Sequence, residues 1–471
     1  MTRVDGYSKG LYHALTHRTD RRRLMKGAAA GAAVAGIPSI MRPGHTVAQN
    51  ATLNILAPAW PQWAIEQELA TDLFTAEPGI AVVIEASQYA FLEQQIKQLV
   101  QAESSEFDIY HYDSQWIGWM SQTSKTLERL DTPAYLGSAD SAVSFDDFFP
   151  ELSYRLAKYP TNEIEIAQGN FEPYADTPIY GLPWSLNSEA LWYRTDLIST
   201  PPTTWEEVRE MAKTLTKDGM YGWAWQGSRD SDWITHDFVP VMYSYGGALW
   251  DPNTYTAEGY VNSPDSIAAL QFMHDMVAVD KSVDPASGNW TINERLAALL
   301  QGKTAMAFNW VALFGGIADD PASTPFAGKF GYAVVPEGPK GQGAAYGCQG
   351  TGINSFSTQK EIAWQYIQWL TSQETQLAMV ERPEACFISG RKDLVEAAQY
   401  PWQQALLDLI PYVRDIWNIP EYASLLNVLQ TELNLAYVGR KPADEALNDA
   451  ALAHQVIYDT IVEQGGAEGQ G

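Results

Sequence analysis

At 471 residues, 46% of them hydrophobic, the chain is long enough for two hydrophobic cores rather than one. Its 57 acids against 30 bases leave a net charge of -27, a field that repels nucleic acid and anionic lipid and excludes both as expected partners. Seventeen Trp stand out, because an indole N–H needs a partner when buried and so suits half-exposed recognition surfaces.

The first segment reads as an export signal. Asp20-Arg21-Arg22-Arg23-Leu24-Met25-Lys26 resembles a twin-arginine box, with Asp20 where Ser or Thr is usual. Gly27–Ile40 follows as an Ala- and Gly-rich apolar run too short to span a bilayer, and Thr46-Val47-Ala48 offers a cleavage site. No Cys follows that run, so no lipid anchor is expected, and the mature chain is expected to be soluble and periplasmic.

Thr52–Ala57 alternates as a short strand and runs into Pro58-Ala59-Trp60-Pro61. Helical patterning extends to Phe74, Ile80–Glu85 is a second strand, and Phe91–Gln101 is a helix with Leu92, Ile96 and Leu99 on one face. Phe107–Tyr110 is a third strand, and this alternation predicts βαβ units in a largely parallel sheet. Asp146–Pro150 reads as a passage between domains. Tyr180–Val208 carries strand-like aromatic and apolar residues, a Pro201-Pro202 stop, and a helix capped by Thr204 with Glu207 three residues on. Ser263-Pro264-Asp265 opens another helix, with Ile267, Leu270, Met273 and Val277 inward. Phe330–Val335 is a strand, Glu337–Gly343 a loop or second crossing, and Gln359–Leu377 one long amphipathic helix. Helices around Trp402–Leu409, Leu425–Leu435 and Ala443–Val462 close the chain.

Two Cys, Cys348 and Cys386, suit either one disulfide or two buried thiols. Export of folded protein through a twin-arginine route argues against reliance on a late bridge. With no CxxC, no HExxH and scattered His, neither a metal nor another cofactor is expected.

Several blocks in order resemble the extracellular solute-binding proteins of carbohydrate ABC importers, the family that includes the maltose-binding type. They are Phe107–Trp116, Tyr180–Val208, Gly302-Lys303-Thr304-Ala305-Met306 with Asn309-Trp310, and Gly350-Thr351-Gly352-Ile353-Asn354 followed by Lys360–Trp364. The resemblance implies an α/β, two-lobed periplasmic-binding-protein fold (type II-like), with a ligand cleft between lobes joined by a hinge. The expected parts are a signal peptide at 1–48, a first lobe at 49–147 and 335–385, a second at 148–334 and 386–465, and a disordered tail at 466–471. It further implies a monomer that captures a neutral mono- or oligosaccharide or a polyol and passes it to an ABC permease.

Sugar chemistry selects the candidate residues: flat aromatics for apolar ring faces, and Asp, Asn, Gln and Arg for hydroxyls. Asp113 and Trp116 form the first pair, although an Asp at a strand end also serves as a helix cap. Trp184 and Asn187 follow on the entrance to the second lobe. Trp310, after Asn309, matches the stacking position that the resemblance implies. Trp60 follows the first strand, where open α/β sheets bind ligands. Asp232 with Trp233 and Trp250 are candidates in the second lobe, where Trp223 and Trp225 also crowd and about half of the four Trp are expected in the core. Gly347–Gly352 offers backbone amides, with Gly350 and Gln349 as candidates. Arg382 lies where many relatives have a cleft residue, or else pairs with Glu381 or Glu384. The competing readings are a secreted glycoside hydrolase using two of Asp113, Glu189, Asp232 and Asp251, and the same fold binding a solute such as a polyamine.

Overall fold

A computed structural model describes residues 51–74, 79–123 and 125–464, so the export signal and the disordered tail expected at the termini lie outside the described residues. In chain order the main elements are β1 (Thr52–Pro58), α1 (Pro61–Leu69), β2 (Ala81–Ser87), α2 (Tyr89–Gln101), β3 (Ile109–Asp113), α3 (Pro150–Ala157), β4 (Leu182–Ser185), β5 (Glu189–Arg194), α4 (Trp205–Leu215) and β6 (Tyr221–Ala224). They continue with α5 (Trp233–Tyr245), α6 (Pro264–Ala278), α7 (Ile292–Leu300), β7 (Thr304–Trp310), α8 (Val311–Ala318), β8 (Phe330–Ala333), β9 (Ala344–Ala345), β10 (Gln349–Ile353) and α9 (Lys360–Leu370). After these come a helix at Gln373–Val380, the short strand β11 (Val413–Arg414), and two long closing helices, Tyr422–Tyr437 and Ala443–Glu463.

Two sheets organise the molecule. The first has the order β2-β1-β3-β10-β4 and the second β6-β7-β5-β8, while β9 and β11 form a small parallel pair. β1, β2 and β3 run parallel, as the βαβ alternation requires, but β10 enters antiparallel between β3 and β4. The expectation of a largely parallel sheet therefore holds for the first sheet except at β10, since β4, also antiparallel to β10, runs in the same sense as β1, β2 and β3.

The Tyr180–Val208 stretch is divided between the sheets. β4 completes the first and β5 lies centrally in the second, so the chain crosses at Leu186–Ser188. α3, just after the Asp146–Pro150 segment, still packs on β4 and β10 of the first sheet. The crossing is pinned by buried partners: Asn187 Oδ1 accepts from the Ala312 N–H at 3.1 Å, and Ser188 Oγ donates to the Ala345 carbonyl at 2.6 Å. Beyond it the caps form where the sequence puts them. Thr204 Oγ1 accepts from the Glu207 N–H at 3.2 Å, and Ser263 Oγ accepts from the Ser266 N–H at 3.1 Å. The single helix expected over Gln359–Leu377 is broken, because Ser372 leaves the helix and accepts from the Thr375 N–H at 3.3 Å, capping a new one.

Most Trp residues are core. Trp205, Trp223, Trp225 and Phe308 interlock with centroids 4.9–6.1 Å apart in mostly edge-to-face arrangements, all buried against the second sheet. Cys348 and Cys386 are both free thiols, buried and unbridged. Burial pushes each up to about 12.

Candidate functional site

The three parallel strands of the first sheet all end at one pocket. β1 leads to Trp60, β2 leads to Tyr89 in the first turn of α2, and β3 ends on Asp113. Crevices at the carboxyl ends of such strands are where open α/β sheets bind ligands. Gln349 opens β10 in register with Asp113 and donates to its Oδ2 at 3.3 Å. The second sheet faces them with Trp310 at the end of β7 and Leu313 in α8. Asp232, Trp233 and His236 come from the start of α5, and Ile292 from the start of α7. Asn187 and Gly347, from the crossings, complete the lining.

Asp232 fastens the two walls together. Its Oδ2 accepts from Gln115 Nε2 at 3.0 Å and from the Tyr89 hydroxyl at 3.2 Å, both from the first-sheet side. The same oxygen meets His236 Nε2, one helical turn on, at 3.2 Å. Burial tends to raise the Asp232 carboxyl, but the His236 charge, with the hydrogen bonds from His236 and Gln115, outweighs it and holds the group below its ordinary value. Burial tends to lower His236, but Asp232 overrides it and carries the imidazole up to about 9. The pair is thus carboxylate and imidazolium at neutral pH. Asp113 is raised to about 6, first by burial and then by the Asp232 charge.

The aromatic walls are layered. Trp60 stacks on Tyr89 at 5.4 Å, and Tyr89 on Trp116 at 5.8 Å. Trp310 stands edge-on to His236 at 5.1 Å. Its ring lies so close to Gly347 that any Cβ there would overlap it, which is why this position is Gly. The space left free inside is about 20 Å³, room for a water molecule and not for a sugar ring. Behind Trp310, Arg295 bridges Glu189 and Asp237, all three fully buried. Burial raises Asp237 to about 8 against the pull of Arg295.

Of the expected site residues, Trp60, Asp113, Asn187, Asp232, Trp233, Trp310 and Gln349 meet here. The others are placed elsewhere. Trp184 is wholly buried and stacked on His111 at 4.1 Å, because β4 belongs to the first sheet and turns it inward. Trp116 stands behind Tyr89, and Trp250 stacks on Tyr458 at 5.1 Å, far along the second half. Asn309 faces the core, its Oδ1 accepting from the Trp310 N–H and from Arg295. Gly350 lies against the Tyr112 ring within the sheet. Arg382 pairs at 3.0 Å with Glu68, and not with the neighbouring Glu381 or Glu384. Glu189 and Asp251, weighed for hydrolysis, do not line the pocket: Glu189 is held by Arg295, and Asp251 accepts from Tyr260 and the Asn253 N–H.

Sequence reasoning missed Tyr89, Gln115, His236, Ile292 and Leu313. Tyr89 obeys the strand-end rule that finds Trp60, and His236 stands four residues after Asp232 on one helix face, so both carried a signal. Ile292 and Leu313 carried none, since an apolar residue at a helix start reads equally as core.

Among the described residues no group of His, Cys, Asp and Glu is arranged to hold a metal ion, and no helix is long and apolar enough to cross a membrane. Residues 56–377 match the family described as bacterial extracellular solute-binding protein. A Deinococcus radiodurans protein named as an ABC transporter-binding protein is 25% identical over 322 residues, covering 64% of this chain and 68% of that one. Maltose-bound MalE3 of T. maritima superposes with a TM-score of 0.73 at 22% identity, covering 86% of this chain and 100% of the other. A solute-binding protein of Agrobacterium radiobacter K84 in complex with ribitol gives a TM-score of 0.70 at 22% identity, covering 86% and 98%. These likenesses establish the fold: α/β, two-lobed, with the pocket between the lobes.

Proposed function

The chain belongs to the bacterial extracellular solute-binding proteins of ABC transporters, and from that premise we propose that it captures a sugar or polyol in the pocket between Trp60 and Trp310. One observation carries the reading: aromatic faces and buried polar groups from both sheets converge on one pocket. Pyranose and polyol carbons pack on indole faces, and the hydroxyls find Asp113, Asp232, Gln349 and Asn187. The maltose and ribitol held by the two similar folds support this class. Trp60, Asp113, Asn187, Asp232, Trp233, Trp310 and Gln349 are the proposed ligand residues, joined by Tyr89 and His236. On this reading the first passage between lobes lies at Leu186–Ser188, with 148–185 kept by the first sheet. The solute reaches the pocket when the lobes part at the hinge, and it is sealed when they close. The twin-arginine-like segment around Arg21 and Arg22 would carry the folded chain out of the cytoplasm, where it acts as a monomer on its permease.

The test is thermal stabilisation of the purified protein across a panel of sugars, polyols and polyamines, with product analysis of each mixture. A saturable shift by one sugar or polyol without turnover is expected; no shift by any of them defeats the reading. A hydrolase is the second reading, favoured by one observation. Asp113 and Asp232 share the pocket with their acidities pushed apart, as an acid and a nucleophile require. Against it, Oδ2 of Asp232 is already engaged by three side chains. Cleaved product in the same mixtures would select this alternative.

A further inference from the structure

The charges of the pocket do not balance. Asp232 has its counter-ion in His236, 3.2 Å away on the same helix. Asp113 has none. It is 5% exposed, and its hydrogen-bond partners are neutral: the Gln349 amide at 3.3 Å, the Ser114 hydroxyl at 3.4 Å and the Gln115 backbone N–H. No Lys or Arg stands among the residues lining the pocket. A carboxylate taken out of water needs a cation or several strong donors, and a cleft that closes over its solute removes the remaining water.

Resting on the sugar or polyol reading, we propose that the solute bears a basic nitrogen, an ammonium group that pairs with Asp113 inside the ring of aromatics. This is an aminated sugar or amino-polyol in place of the wholly neutral solute that the residue types alone suggest. The surroundings favour it on two further counts. Indole faces attract cations as well as sugar C–H surfaces, and Trp60, Trp233 and Trp310 all line the same space. The net charge of -27 draws cations toward the protein at long range.

The experiment is calorimetric titration of the wild-type protein at pH 7.5 with matched pairs: glucosamine and glucose, galactosamine and galactose, mannosamine and mannose, 1-amino-1-deoxysorbitol and sorbitol. In at least one pair the amine is expected to bind about tenfold or more tightly than its hydroxyl twin, the margin of a charged over a neutral hydrogen bond. Asp113→Asn should remove that margin, weakening the amine by about tenfold more than its neutral twin, whose hydroxyls also lose a carboxylate acceptor. The wild-type comparison decides the matter even if the variant folds poorly. Equal or tighter binding of the neutral member in every pair overturns the inference and leaves the sugar reading standing. Binding by no member of any pair overturns both.

Discussion

Asp113→Asn should make the empty protein more stable at neutral pH. The ordinary value of this carboxyl is 3.8, and its place in the fold lifts it to about 6, through burial first and the Asp232 charge second. An acid whose folded pKa lies above its unfolded one holds its proton better when folded, so ionising it works against folding. The cost is absent below about pH 3.8, grows as pH rises, and is complete above about 6. The difference corresponds to on the order of 3 kcal/mol at pH 7.5. Asn keeps an acceptor for the Gln349 amide and carries no charge, so a gain of about 1–3 kcal/mol is expected at pH 7.5, shrinking toward zero near pH 4. Urea unfolding of ligand-free wild type and variant at both pH values measures it. A variant equally or less stable than wild type at pH 7.5 would refute the claim that burial of the Asp113 carboxylate outweighs the help it receives from His236 and its donors.

The Asp232–His236 pair has the opposite sign. The His236 contribution is fully present below about pH 6.5 and is lost as pH rises through about 9, while that of Asp232 is present above pH 3.8 and lost as pH falls below it. Wild-type stability should therefore decline between pH 6.5 and 9.5 more steeply than that of His236→Gln, and parallel profiles by urea titration would contradict the pairing. Gly347→Ala should force the Trp310 ring back by about 1 Å and cost about 1–3 kcal/mol from overpacking. It should weaken ligand binding by calorimetry with the secondary structure intact. Trp184→Ala and Trp310→Ala should part company: the first removes core and costs about 3–5 kcal/mol of stability while sparing the site, and the second abolishes ligand-induced stabilisation. Arg295→Met should leave Glu189 and Asp237 buried without their cation and lower stability by about 3–5 kcal/mol, read as a fall in the urea midpoint.

What was legible in the chain follows the range of each interaction. Strand ends in parallel βαβ units are local, and they point to Trp60 and Asp113 before any coordinates. The helix caps at Thr204 and Ser263 are just as local. Trp184 misleads because its neighbours describe a strand well and say nothing of which sheet receives it. That choice rests on β10, which arrives 164 residues later, at Gln349, to pair with Ser185. Tyr89 was hidden by a smaller error: the apolar spacing starts a helix at Phe91, whereas the structure starts it two residues earlier. The Trp count overstated the site, because the interlocked Trp205, Trp223 and Trp225 use as much indole for packing as the pocket uses for its walls. Arg382 illustrates the same limit for charge, since its partner Glu68 is 314 residues away.

The bonds from Tyr89 and Gln115 to Asp232 have a consequence for traffic at the membrane. They join the two walls of the pocket directly, so the carboxylate that a solute's hydroxyl would seek already has donors of its own. The same two bonds tax every solute, which must replace them before it gains from the rings and carboxylates around it. Scarce nutrient would thus be won by solutes that break the clasp themselves, and the fastening would act as a threshold on what is worth carrying.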